Sequence, residues 1–192
     1  MRSATSRRIY YAIPLVAAVL AAVVFCGASL LNTSVPAGII IHHSAIPPLP
    51  GGREIDAGVI DEIHRGRGYG AFYWGRFYNI GYHYVILPDG TVQQGRPEHC
   101  RGAHAPGYNS YIGICLIGNF SEADNPTGAK GLKEPTEAQM RALVDLTRSL
   151  RERYHLSLQQ VLRHSDVNAA TKCPGDRFPI QRFLDSLNEG AR

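Results

Sequence analysis

No acidic residue stands ahead of Leu31, and the run from Ile9 to Leu31 carries no charge of either sign. A stretch of 23 uncharged residues is long enough to cross a bilayer core of roughly 30 Å at about 1.5 Å per residue. Arg2, Arg7 and Arg8 precede it, the pattern that keeps an N-terminus in the cytoplasm and places whatever follows outside. A cleaved signal peptide, with Cys26-Gly-Ala28 as its small-residue site, is the alternative. The run exceeds the usual signal core of about 7 to 15 residues, so the expectation is an uncleaved anchor in the cytoplasmic membrane. Ser6-Arg-Arg-Ile-Tyr-Tyr11 faintly resembles a twin-arginine signal, whereas bulky Phe25 argues against lipidation at Cys26.

The rest of the chain has no low-complexity tract and no long-period repeat, which removes disorder and solenoids from consideration. It also lacks a basic face. The three N-terminal arginines supply most of the formal +4, so charge gives no reason to expect nucleic acid. With 44% hydrophobic and 19% charged residues over 192 positions, the composition is that of one globular domain plus an appendage. We read residues 1–8 as a cytoplasmic basic segment, 9–31 as the transmembrane anchor or signal, 32–38 as a linker and 39–192 as the domain.

The pattern of elements predicts an α/β fold. Ile39 to His43 reads as a buried strand, and Pro47-Pro-Leu-Pro-Gly-Gly52 is irregular. Asp56 caps a helix to about Arg65 with Val59, Ile60 and Ile63 inward. Gly66 to Asn79 reads as an aromatic, glycine-rich loop whose rings either line a groove for sugar or peptide or cover the core. Two alternating runs around Pro88-Asp-Gly90 make a hairpin, and Ile112 to Gly118 is a buried strand. Thr136 and Gln139 form a capping box for a helix to about Tyr154, with Met140, Leu143, Val144, Thr147 and Leu150 buried. A strand from Gln160 to Arg163 and a helix from Phe178 to Leu187 complete a central mixed sheet flanked by helices.

The chemistry concentrates in Arg163-His-Ser-Asp-Val-Asn-Ala-Ala-Thr-Lys-Cys-Pro-Gly-Asp176. Zinc takes neutral imidazole and thiolate, and a catalytic site uses three protein ligands so that the fourth position stays open. His164 and Cys173 supply two, but they are nine residues apart, so the loop must fold back on itself. The third ligand is expected from Ile39-Ile-Ile-His-His-Ser44, where a strand delivers histidine at its end.

Taken together, Ile41-His-His-Ser-Ala45, Gly81-Tyr-His83, Asp89-Gly-Thr-Val92 with Gly95-Arg96, Gly102-Ala-His104, Gly107-Tyr-Asn109, Ile112-Gly-Ile-Cys-Leu-Ile-Gly118 and His164 to Asp176 resemble the type 2 N-acetylmuramoyl-L-alanine amidases. That family includes phage amidase-type lysozymes and animal peptidoglycan recognition proteins. The resemblance implies a Zn2+ hydrolase acting on peptidoglycan or muropeptides, cutting between the lactyl group of N-acetylmuramic acid and L-alanine. It implies His42, His164 and Cys173 as metal ligands and Tyr82 as a hydrogen-bonding catalytic group. It places Thr171 or Lys172 in the catalytic loop position and His43, His104 and Asn109 against substrate. A non-catalytic recognition module is the alternative, since some relatives lack the cysteine ligand and keep only the groove.

The chain departs from the family pattern in two places. The loop is one residue longer than the commonest spacing, which puts Thr171, with Lys172 after it, at the position two before the cysteine. Cys115-Leu-Ile117 stands where intracellular relatives carry glutamates, so that strand offers no carboxylate base. His43 and His83 are further read as neighbours orienting the site, Asn109 also suits an ordinary turn, and Cys115 reads as an inert core thiol. A Cys100 to Cys115 disulfide is open outside the cytoplasm, though nothing in the spacing demands it.

Overall fold

The computed structural model describes residues 33–189, together with Ala17 and Ala18. Apart from that pair, the segment read as an anchor lies outside the described residues, as does Cys26. Among the described residues no helix is long and apolar enough to cross a membrane. The segment read as a linker is bound to the domain at its start, where Thr33 bridges Cys100 and the Ser34 N–H donates to the His99 carbonyl at 2.8 Å.

The domain is built on a five-stranded mixed sheet. β1 (Ile39–His43) lies at its heart, paired in parallel with β6 (Ile112–Leu116) on one side and β7 (Val161–Arg163) on the other. β4 (Tyr84–Ile86) runs parallel to β6, and β5 (Val92–Gln94) closes the edge antiparallel to β4. Every residue of β1 and β6 is buried, as expected for central parallel strands covered on both faces. The bulky β-branched side chains of Ile39, Ile40 and Ile41 are each fully buried, a contribution of about 1.5 to 3 kcal/mol apiece.

Alternation along the strands sorts the core into two halves. Ile39, Ile41, Ile112, Ile114 and Leu116 meet Met140, Leu143, Val144 and Leu150 of α2 (Glu137–Tyr154), with Phe183 and Leu187 of α4 (Ile180–Glu189). The opposite face packs Val85, Cys115 and Ile117 against Ile60 of α1 (Ala57–Arg65). Helices α1 and α2 start where their caps dictate. Asp56 accepts the Val59 N–H at 2.8 Å, and Thr136 with Gln139 forms the reciprocal capping box.

Two local readings need correction. The aromatic loop contains a hairpin of its own, β2 (Ala71–Tyr73) against β3 (Arg76–Tyr78). Its two-residue turn is Trp74-Gly75, both at positive φ (42° and 86°), the combination that matches strand twist. A tryptophan at that place hides the usual Asn-Gly or Asp-Gly signal. The disulfide left open by the sequence does not form: Cys100 and Cys115 are both free, one in the loop beside Thr33 and the other in the middle of β6.

Arg96 joins the loops that surround the α1 face. It is only 2% exposed, and its guanidinium donates to the carbonyls of Ile80, Arg101 and Tyr69. These belong to the segments leading to Tyr82, His104 and the small hairpin. Replacing Arg96 by Met leaves three inward carbonyls without donors, each worth about 1 to 3 kcal/mol. We expect Arg96→Met to lower the denaturant midpoint markedly, and an unchanged midpoint contradicts the stitching role.

Candidate metal centre

Three chain segments converge at the C-terminal ends of β1 and β7. His42, 1% exposed, projects from the α1 face of β1, opposite Cys115 in the β6 register. β7 ends at Arg163, and His164 opens the single-turn helix α3 (His164–Val167). Arg163 fixes that junction, since Asp166 accepts its N–H at 2.8 Å and pairs with its guanidinium at 2.6 Å. The Ser165 N–H then donates to the Cys173 carbonyl at 2.9 Å. That bond folds the loop back and returns Cys173 to the side of His164.

One donor atom from each of His42, His164 and Cys173 falls within 4.8 Å of the others. Cys173 Sγ lies 3.6 Å from His42 Nδ1, against about 3.6 Å for the edge of a tetrahedron built from ordinary zinc–nitrogen and zinc–sulfur bonds. His164 Nε2 is buried with no hydrogen-bond partner, and orphaned polar atoms of this kind call for an explanation. A metal taking that lone pair supplies one. The set of two imidazoles and one sulfur is soft and suits zinc rather than magnesium or calcium.

Electrostatics keep the candidate donors uncharged. Burial holds the His42 pKa well below the usual histidine value, reinforced by the neighbouring His104, His164 and His43. Burial also lowers His164, and it pushes the Cys173 thiol up to about 12, opposed by the His43 backbone N–H that donates to its sulfur at 3.4 Å. Both imidazoles are therefore ready as ligands at neutral pH, whereas the thiol must give up its proton when a cation enters.

The remaining candidates are distributed unevenly. The Tyr82 ring packs 5.1 Å from His42 and 5.5 Å from His64. Burial raises the Tyr82 phenol well above its ordinary range, with the two cysteines Cys115 and Cys173 adding to it. Thr171 Oγ1 accepts the Cys173 N–H at 3.1 Å, and Lys172 is exposed. Both line a polar cleft of about 420 Å3 with Arg163, Asp166 and Asp176.

The three residues expected against substrate each make hydrogen bonds within the protein. His43 is the next residue after His42 on β1, so alternation sends its ring to the opposite face. There it lies 5.7 Å from Phe120 and accepts that residue's N–H at 3.0 Å. Asn109 Oδ1 accepts the N–H groups of His104 and Ala105 at 3.0 and 3.1 Å, which makes it the clasp of its own turn. His104 lies against the candidate ligand His42, its Nδ1 3.0 Å from His42 Nε2.

Sequence reasoning missed His64 and Arg67. With Ser44, Pro47, Ile60, Ile63 and Tyr82 they line a cleft of about 290 Å3. His64 accepts the Gly81 N–H at 3.0 Å and touches Tyr69 as well as Tyr82. The helical stripe that buries Ile60 also turns His64 inward, and that periodicity was the signal available.

Against this geometry, the comparison with known proteins is specific. The N-acetylmuramoyl-L-alanine amidase family matches residues 32–176, and the chain belongs to it. The endolysin of Enterobacteria phage T3 is 33% identical over 150 residues, 77% of this chain and 84% of its own length. The endolysin of Enterobacteria phage K11 is 36% identical over 107 residues, and the match spans 55% of this chain and 64% of that protein. Among solved structures, N-acetylmuramoyl-L-alanine amidase LysC from Clostridium intestinale URNW superposes with a TM-score of 0.64 at 35% identity, covering 81% of this chain and 87% of that one. Drosophila peptidoglycan recognition protein SD superposes at 0.58 with 25% identity, over 79% and 82% of the two chains.

The charge state sets the sign of a pH dependence. One proton must leave the Cys173 thiol, whose pKa lies far above neutrality, while both histidines are already neutral. We expect zinc affinity to rise about tenfold per pH unit from neutral to mildly alkaline conditions, measured by chelator competition. A flat profile over that range contradicts thiolate ligation.

Proposed function

We propose that the chain is a zinc-dependent amidase that hydrolyses the bond between the lactyl group of N-acetylmuramic acid and the L-alanine of peptidoglycan stem peptides. The observation that carries the proposal is the convergence of His42, His164 and Cys173 donor atoms within 4.8 Å, with Tyr82 packed against His42. A zinc ion bound there polarises a carbonyl oxygen and activates water near neutral pH.

The protein's own groups account for the rest of the chemistry. The Tyr82 phenol, kept protonated by burial, is a donor at all working pH values. A carbonyl oxygen gaining negative charge accepts from such a donor more strongly than a neutral carbonyl does, so this donor binds the transition state better than the ground state. Cys115, facing His42 in register, fills the strand position with an uncharged thiol. Proton transfer to the leaving amine therefore falls to Tyr82 and the loop pair Thr171 and Lys172. The cleft along Ile60, Ile63, His64 and Arg67 leads from Tyr82 and is the path for the stem peptide or the sugar.

The same proposal places the domain outside the cytoplasm, held to the cytoplasmic membrane by residues 9–31. Their lack of charge and the preceding arginines support this arrangement. A recognition module without catalysis is disfavoured by the presence of Cys173, the ligand that makes the donor set complete.

Zinc content and the products released from peptidoglycan, identified by mass spectrometry, test the reading in the full chain. Wild type is expected to hold about one zinc, as a single three-ligand site requires, and to release stem peptides with a free L-alanine amine. Cys173→Ala loses both properties. Zinc-bearing protein that binds peptidoglycan but leaves every lactyl amide intact overturns the enzyme in favour of recognition. Tyr82→Phe is expected to keep its zinc while kcat falls by about 100 to 1,000-fold, the usual cost of losing one such donor. Unaltered kcat in that variant removes Tyr82 from the chemistry.

A further inference from the structure

His104 is half of an unusual contact, a direct hydrogen bond between two imidazoles, and the bond can be given a direction. His104 Nε2 lies 3.0 Å from the Tyr111 carbonyl oxygen, which can only accept, so Nε2 carries the proton. A neutral imidazole carries one ring proton, and with Nε2 donating it to Tyr111 the His104 Nδ1 is bare. That bare Nδ1 is 3.0 Å from His42 Nε2, so His42 must be the donor there. A neutral imidazole has a single ring proton. His42 Nδ1 is then the unprotonated atom, and it is the atom 3.6 Å from Cys173 Sγ.

The His104 ring is also fixed in place, which is what a directional relay requires. A Cβ added to Gly113 would stand 2.6 Å from His104 Cδ2, and one added to Gly102 would stand 2.6 Å from the same atom. Both glycines leave room that the imidazole fills. Asn109 Oδ1 anchors the backbone on either side of the ring by accepting from His104 N and Ala105 N. The Gly113 N–H is in turn held by His83 Nδ1 at 2.9 Å.

We propose that His104 is a positioning residue for the metal centre: the chain Tyr111 carbonyl, His104, His42 locks His42 in the Nε2–H tautomer and directs its bare Nδ1 at the metal. The proposal rests on the reading of the site as a zinc centre and is independent of which bond is cut. Partners of this kind behind a histidine ligand are commonly worth about 10 to 100-fold in metal affinity, because without them the ring can rotate or take the tautomer that blocks binding. Asn109, Gly102 and Gly113 act one step further back, by holding His104 where its Nδ1 reaches His42.

Two measurements on the full chain, with zinc alone as the ligand, test this. Long-range 1H–15N spectra of the metal-free wild type should show the His42 ring proton on Nε2, and a proton on Nδ1 overturns the proposal. Chelator competition should show His104→Ala binding zinc about 10 to 100-fold more weakly. His104→Asn, whose Oδ1 stands where Nδ1 stood, should remain near wild type. Equal affinity in all three proteins, or equal loss in both variants, overturns the proposal. The spectra use the unaltered chain, so a variant that fails to fold leaves that decision standing. A chain that binds zinc with this tautomer yet cuts no peptidoglycan contradicts the amidase reading alone.

Discussion

The alternation of side chains along β1 is the constraint on which the centre depends. Two consecutive histidines end a strand buried on both faces, so one must point to α1 and the other to the α2 and α4 side. His42 reaches the face that also carries Cys115 and Tyr82, and becomes a donor there. His43 crosses to Phe120, yet its backbone N–H still serves the centre by donating to Cys173 Sγ. A one-residue slip of β1 against β6 would exchange the two rings and dismantle both arrangements.

Burial has a second consequence, which is that histidine serves this domain as a neutral, directional connector. His43, His64 and His83 each accept a backbone N–H at Nδ1, from Phe120, Gly81 and Gly113, and burial lowers each of their pKa values to about 4. Neutral rings of known tautomer position loops without placing charge near the donor set. Arg96 does comparable work with three carbonyls. The loops carrying Tyr82 and His104 are thereby held around a centre whose candidate ligands come from distant parts of the chain.

Much of this was legible in the residues, for reasons that differ from place to place. The capping box at Thr136 and Gln139 and the stripe from Met140 to Leu150 are local patterns, and local physics realises them. The histidine and cysteine of the 164–173 loop were recognisable as donors, since few other roles need those side chains within a Pro/Gly-terminated turn. The fates of His43 and His104 were not legible. Each depends on a partner far along the chain, Phe120 for one and His42 for the other, and neither pairing leaves a mark in local spacing. The hairpin at Trp74-Gly75 escaped for the opposite reason, since its signal is local but written with an uncommon turn residue.

Zinc-edge X-ray absorption on the zinc-loaded chain tests the central claim most directly. Ligation by His42, His164 and Cys173 predicts two imidazole nitrogens at about 2.0 to 2.1 Å and a single sulfur at about 2.3 Å, with one further light atom. A shell without sulfur, or one with two sulfurs, contradicts it.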